Sequence, residues 1–129
     1  MTRILLVDDS EGVRRSVRSL LAAAFPAAAL GEASDAGAAL AVLGRERWDL
    51  VLLDLSLPDR RGLDALRDIH RLHPGLPVVV MSFNPEAEYA AAARAAGAVG
   101  YIAKGSSPDA ITSAVATALS TTDRAGRVG

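Results

Sequence analysis

Trp48-Asp49-Leu50-Val51-Leu52-Leu53-Asp54-Leu55-Ser56-Leu57-Pro58-Asp59 is the stretch that decides the fold. The run Leu50 to Leu53 is continuously apolar, with no polar residue alternating through it. Such a run reads as a strand buried on both faces, which belongs to a parallel sheet covered by helices. It ends abruptly in Asp54, and Ser56, Pro58, Asp59 and Gly62 that follow are loop chemistry. Asp54 is therefore expected at the carboxyl end of a buried strand, the edge where open α/β sheets build their sites. A carboxylate there must be paired, metal-bound or functional. The plainer alternative is a surface acid just past the strand.

The same grammar recurs on both sides of this stretch. Ile4 to Val7 is an apolar run ending in Asp8-Asp9, and Ser10 is placed to cap a helix whose inner face carries Val13, Val17, Leu20, Leu21 and Ala24. Pro26 stops that helix. Ala27 to Glu32 is a weaker strand, suited to an edge. Ser34 or Asp35 caps a second helix with Ala36, Ala39, Leu40 and Leu43 inward and Gly44 near its end. After Gly62, a third helix places Leu63, Leu66, Ile69 and Leu72 on one side, and His73-Pro74-Gly75 stops it. Pro77 to Ser82 is the fourth strand. Asn84-Pro85-Glu86 opens an alanine-rich helix that runs to Gly97. Val99 to Ala103 is the fifth strand, and Ser107-Pro108-Asp109 starts a last helix with Ile111, Ala114, Val115, Ala118 and Leu119 inward.

Five strand-helix units in 129 residues imply a parallel sheet with right-handed crossovers. The expected fold is α/β: a flavodoxin-like, doubly wound, five-stranded (βα)5 sheet of order 2-1-3-4-5, with its switch point between the first and third strands. An eight-fold barrel would need roughly 200 residues or more and is excluded. One domain is expected over residues 1–120. Residues 121–129 read as a polar tail or the start of a linker.

Composition narrows the function. The formal net charge of −1 offers no basic face for direct nucleic-acid contact. The absence of cysteine excludes thiolate-ligated zinc and a disulfide framework. Ile4 to Val7 is too short for a signal peptide core or a membrane span, so a cytoplasmic location is expected.

The strand ends then supply a set. Asp8 and Asp9 follow the first strand, Asp54 the third, Ser82 the fourth and Lys104 the fifth. Each alone has an ordinary reading: a helix-start acid, a strand-end hydroxyl, a surface lysine. Together, on one sheet edge, carboxylates without histidine or cysteine suit a hard cation such as Mg²⁺ (or Mn²⁺). A lysine and a hydroxyl beside them can grip an anion. An acid able to form an aspartyl-phosphate completes a phosphoryl-transfer kit.

This set resembles the receiver domain of two-component response regulators, over nearly the whole chain from about Arg3 to Leu119. The motifs are the acidic pair, DLSLPD-x-x-G around Asp54, the apolar strand ending in Ser82, and GAVGYIAK ending in Lys104. The resemblance implies that Asp54 accepts a phosphoryl group from a sensor histidine kinase. It implies that Asp9, Asp54 and the Ser56 backbone carbonyl hold Mg²⁺, with Asp8 acting partly through water. Ser82 and Lys104 would bind phosphoryl oxygens, and Tyr101 matches the aromatic that swings inward when Ser82 moves. LSLPDRRGLDAL and AKGSSPDAI look like the NarL/LuxR-type branch, whose members usually carry a helix-turn-helix output domain. Phosphorylation-dependent dimerisation through the fourth helix, fifth strand and fifth helix, and DNA control through an output domain outside these residues, are implied in the same way.

Two departures bear on the chemistry. Phe83 is bulky where the family commonly has a small residue, and Gly105 stands where many receivers have proline. Ser56, Phe83 and Asn84 occupy the neighbourhood where the family tunes hydrolysis. Two histidines, His70 and His73, sit at a helix end and read as solvent-facing. Rival readings remain. A haloacid-dehalogenase-type phosphatase wants a second acid where Ser56 stands. A flavodoxin-like cofactor binder would find its phosphate repelled by Asp8-Asp9. A stand-alone receiver, or a pseudo-receiver that binds partners without phosphorylation, keeps the same fold. The expected chain is not an enzyme beyond chemistry on its own aspartate.

Overall fold

Strands and helices alternate strictly along the chain: β1 (Arg3–Val7), α1 (Glu11–Ala24), β2 (Ala29–Ala33), α2 (Ala36–Arg45), β3 (Leu50–Asp54), α3 (Gly62–Leu72), β4 (Val78–Ser82), α4 (Ala87–Ala95), β5 (Gly100–Ala103) and α5 (Pro108–Val128). The computed structural model describes residues 2–128 apart from 60 and 84–86, with the backbone alone for 87–89 and 121–128. The sheet order is β2-β1-β3-β4-β5 and every pairing is parallel. This is the flavodoxin-like order expected from the strand-helix alternation.

The continuous apolar runs have a direct explanation. Leu5, Val7, Val51, Leu53, Val78 and Val80 pack toward α2, α3 and α4. Ile4, Leu6, Leu50, Leu52, Val79 and Met81 pack toward α1 and α5. Both faces of the central strands are dry, so neither parity of residue can be polar. Each fully buried Val, Leu or Ile contributes roughly 1.5–3 kcal/mol. The three central strands are thus anchored on both sides, and their carboxyl ends are fixed relative to one another.

Helix boundaries follow local chemistry. Ser10 Oγ accepts the Val13 N–H, Asp35 caps α2 through the Ala38 N–H, and Ser107 Oγ accepts the Ala110 N–H ahead of Pro108 in α5. Gly97, at φ +116, closes α4. Its N–H donates to Arg94 O and the Ala98 N–H to Ala93 O, the paired bonds of a Schellman end.

Some boundaries differ from those read in the sequence. β2 starts at Ala29, because Ala28 N–H closes a turn onto Phe25 O after Pro26. Leu72 was expected on the inner side of α3 but is 52% exposed. The buried stripe is Gly62, Ala65, Leu66 and Ile69, and it ends one turn before the His73 cap. α5 continues to Val128 rather than fraying near Ser120. Its last turns hold no proline to interrupt them. The expected helix start at Asn84-Pro85-Glu86 lies outside the described residues. No helix among the described residues is long and apolar enough to cross a membrane.

Gly62 is required by close packing. A Cβ at this position would collide with the Leu55 backbone, its carbonyl oxygen and Cα included. Gly44, by contrast, has open space around it. Gly62→Ala should therefore lower stability by about 1–3 kcal/mol through overpacking. Gly44→Ala, inside α2, should raise it by about 0.5–1 kcal/mol. Urea unfolding of both variants checks this, since the two effects have opposite sign for the same chemical change.

Candidate functional site

Three parallel strands deliver the polar groups to one edge. Asp8 follows β1, Asp54 ends β3, and Lys104 follows β5. Lys104 Nζ lies 2.8 Å from Asp8 Oδ2 and 3.2 Å from Asp54 Oδ2. All three side chains are nearly inaccessible, at 6% exposure for Lys104, 9% for Asp8 and 2% for Asp54. One ammonium therefore bridges two buried carboxylates. Asp9 is exposed beside them, and carboxylate oxygens of Asp8, Asp9 and Asp54 lie within 4.8 Å of one another.

The remaining contacts fix each member. Asp8 Oδ1 accepts the Ser10 N–H at 2.9 Å, which ties the acidic turn to the start of α1. Asp54 Oδ1 accepts the Ser56 N–H at 3.1 Å. Asp54 Oδ2 is buried and, though ion-paired to Lys104, receives no well-directed hydrogen bond. Ser82 is buried at the end of β4, and its carbonyl accepts the Lys104 N–H at 2.7 Å. The ends of β4 and β5 are thus joined at the two residues expected to grip an anion. Gly105 follows at φ +90, a conformation glycine adopts without strain.

Electrostatics at the site conflict. Burial pushes the Asp54 carboxyl above its ordinary value, and the neighbouring Asp8 charge adds to this. The Ser56 N–H and Lys104 pull it back without reversing the direction. For Lys104, burial acts downward, but the two carboxylates outweigh it and hold the ammonium above its ordinary value. With all groups ionised, three carboxylates and one ammonium leave two formal negative charges in one crevice. An all-oxygen donor set with this excess, and a buried carboxylate oxygen lacking a directed donor, fits a hard divalent cation.

The structure brings together Asp8, Asp9, Asp54 and Lys104, with Ser56 and Ser82 attached through the backbone bonds above. Tyr101 stands opposite Val80, two pairs before Ser82, partly buried on the α4 side. Asn84 lies outside the described residues. Phe83, 72% exposed, places its ring 4.9 Å from Lys104 Nζ, close enough for a cation–π contact. Sequence reasoning missed Arg14, whose guanidinium donates to the Asp8 carbonyl and pairs with Glu32 of β2 at 3.0 Å. Its position four residues after the Ser10 cap, between Val13 and Val17, was the available signal.

The response regulator receiver domain model matches residues 4–116. The chain belongs to this family. Response regulator UvrY of Escherichia coli K12 is 35% identical over 115 residues, covering 89% of this chain and 53% of UvrY. A solved CheY-like receiver domain protein from Methanospirillum hungatei JF-1 superposes with a TM-score of 0.88 at 29% identity, covering 96% of this chain and 98% of the other. A two-component response regulator of the LuxR family from Aurantimonas sp. SI85-9A1 gives 0.87 at 33% identity, covering 94% and 87%. This LuxR-family likeness agrees with the branch suggested by the motifs around Asp54 and Lys104. The chain spans about half the length of the curated relatives it matches first.

In this receiver domain the raised Asp54 value has a consequence for stability. The folded state holds the Asp54 proton more tightly than the unfolded state. The resulting stabilisation is complete below the ordinary value of 3.8 and is lost as pH rises through the higher folded value. Asp54→Asn removes that loss. The variant should melt higher than wild type at pH 7, and the gain should shrink as pH falls toward 3.8. Melting curves across this range test it. A variant less stable at pH 7 would mean that the Lys104 pair outweighs burial and the Asp8 repulsion.

Proposed function

We propose that this receiver domain is a phosphorylation-controlled switch in which Asp54 accepts a phosphoryl group from a sensor histidine kinase. The supporting observation is the Lys104 bridge between Asp8 and Asp54 at the end of a buried sheet. An Asp54 oxygen attacks phosphorus, the bond from phosphorus to the donor histidine nitrogen breaks, and the electron pair stays with the departing imidazole. Asp8, Asp9, Asp54 and the Ser56 carbonyl would hold Mg²⁺ (or Mn²⁺), which supplies charge neutralisation for the phosphoryl oxygens when bound. Lys104 exchanges its carboxylate partners for a phosphoryl oxygen, and Ser82 offers its hydroxyl to another. Ser56 and Phe83, and Asn84 by its place in the sequence, tune hydrolysis. The Phe83 ring, beside Lys104, narrows the approach of water and of small donors.

The switch then works through geometry. Ser82 and Lys104 sit on adjacent strand ends and are already joined by a backbone bond. A phosphoryl group adds about −1.5 to −2 charge at pH 7 and draws both toward Asp54. Tyr101, on the same face of β5 as the residue opposite Ser82, follows that movement. The surface of α4, β5 and α5 changes with it, and the alanine-rich α4 allows close, weakly anchored packing there. The output we propose is homodimerisation through this surface, governing a DNA-binding domain carried by a longer cytoplasmic regulator, with a linker drawn from residues 121–129. The chemistry is confined to the chain's own aspartate.

Incubation with an acyl phosphate and Mg²⁺, read by intact mass, tests the central step. One phosphoryl group should be gained by wild type and none by Asp54→Ala. No gain by wild type in the presence of Mg²⁺ would shift the reading to a receiver that acts by partner binding alone. A second experiment addresses the coupling. Ser82→Ala should still be phosphorylated at Asp54, yet show several-fold weaker phosphorylation-dependent dimerisation in analytical ultracentrifugation. Equal dimerisation of the two proteins would remove Ser82 from the switch.

A further inference from the structure

The segment between Asp54 and α3 has an anchor that the phosphorylation chemistry does not use. Asp59 reaches across to the start of α2, where its Oδ1 accepts the Ala36 N–H at 2.9 Å and its Oδ2 accepts the Gly37 N–H at 2.9 Å. α2 already has a cap of its own, because Asp35 accepts the Ala38 N–H at 2.7 Å. Asp35 reaches only the Ala38 amide, so Asp59 satisfies two further amino-terminal donors of α2 while sitting beside a like charge. The second carboxylate also adds direction. Two oxygens on two successive amides fix both the place and the orientation of the loop.

The loop is thereby held at both ends. At one end the Ser56 N–H is bonded to Asp54 Oδ1, and Leu55 is buried beneath it. At the other, Asp59 is fixed on α2. Ser56 itself is exposed between these anchors. Its carbonyl is then set by the anchors rather than by packing of its own side chain. We propose that Asp59 is a positioning residue that holds the Ser56 carbonyl ready for the divalent cation, and that it makes the amino-terminal turn of α2 respond to occupancy of the acidic site. The inference rests on reading Asp8, Asp9, Asp54 and Ser56 as the Mg²⁺ site. It gives that site a second mechanical outlet, on the opposite side of Asp54 from Ser82 and Tyr101.

Two measurements test it without any phosphoryl transfer. In metal-free protein, Asp59→Ala should speed amide exchange across residues 55–59 several-fold. In calorimetric titrations with Mg²⁺ alone, Asp59→Ala should weaken affinity by about tenfold, the scale usual for groups that orient metal ligands. Asp59→Asn, which keeps one accepting oxygen, should fall between it and wild type. Asp35→Ala removes the helix cap without touching the loop and should bind Mg²⁺ as wild type does. By linkage, Mg²⁺ should slow exchange of the Ala36 and Gly37 amides in wild type and leave them unchanged in Asp59→Ala. Wild-type affinity in Asp59→Ala, or an equal loss in Asp35→Ala, would overturn the positioning role while the metal site stands. Failure of wild type itself to bind Mg²⁺ would overturn both.

Discussion

A lysine ammonium buried between two carboxylates is the interaction on which the other features of this protein depend. Lys104 cannot stay charged out of water without the carboxylates of Asp8 and Asp54, which lie within ion-pair distance of its ammonium. The arrangement demands that three separate strand ends converge. β1 and β3 are neighbours, but β4 lies between β3 and β5. A group from β5 must therefore span about 10 Å of sheet to reach Asp54, two strand spacings. A long, flexible, cationic side chain meets that requirement. The backbone bond from Lys104 to the Ser82 carbonyl fixes where the span begins.

The parallel sheet supplies the rigidity that this convergence requires. Because β1, β3 and β4 are buried on both faces, their ends cannot drift without opening one of two hydrophobic layers. The polar groups are then held by bonds from the loops that leave those strands. Ser10 N–H and Ser56 N–H each satisfy one carboxylate oxygen, and Arg14 holds the Asp8 carbonyl. The site is left short of positive charge, and burial, with the Asp8 repulsion added, holds Asp54 above its ordinary value. Preorganised carboxylate oxygens with unrelieved repulsion could hold a cation there.

Most of the fold was legible because its signals are local. Apolar runs such as Leu50 to Leu53 and Val78 to Met81 mark strands buried on both faces, and Ser10, Asp35 and Ser107 cap helices through hydroxyl or carboxylate groups a few residues from their partners. The site was legible in outline because the strand ends carry its acids and lysine in chain order. The long-range ties were not legible. Arg14 with Glu32, and Asp59 with Ala36 and Gly37, join residues many positions apart, and no periodicity announces them. Leu72 misled for a related reason: it repeats the spacing of α3 but falls past the end of the buried stripe. The cation–π contact of Phe83 with Lys104 likewise depends on a ring direction that spacing does not encode.

The sole tryptophan sits at the opposite end of this architecture. Trp48 precedes β3, its ring packs across Gly31 of the edge strand β2, and its indole N–H donates to the Val42 carbonyl at 3.4 Å. Arg3 lies over the ring, 4.5 Å from its centroid. β3 separates this cluster from Asp54 by about 13 Å of extended chain. The intrinsic fluorescence of the protein therefore arises from the edge remote from its chemistry. Emission from Trp48 registers whether the first three strands and α2 remain assembled around the indole, so it serves as an optical baseline for the fold, insulated by the length of a strand from events at Asp54.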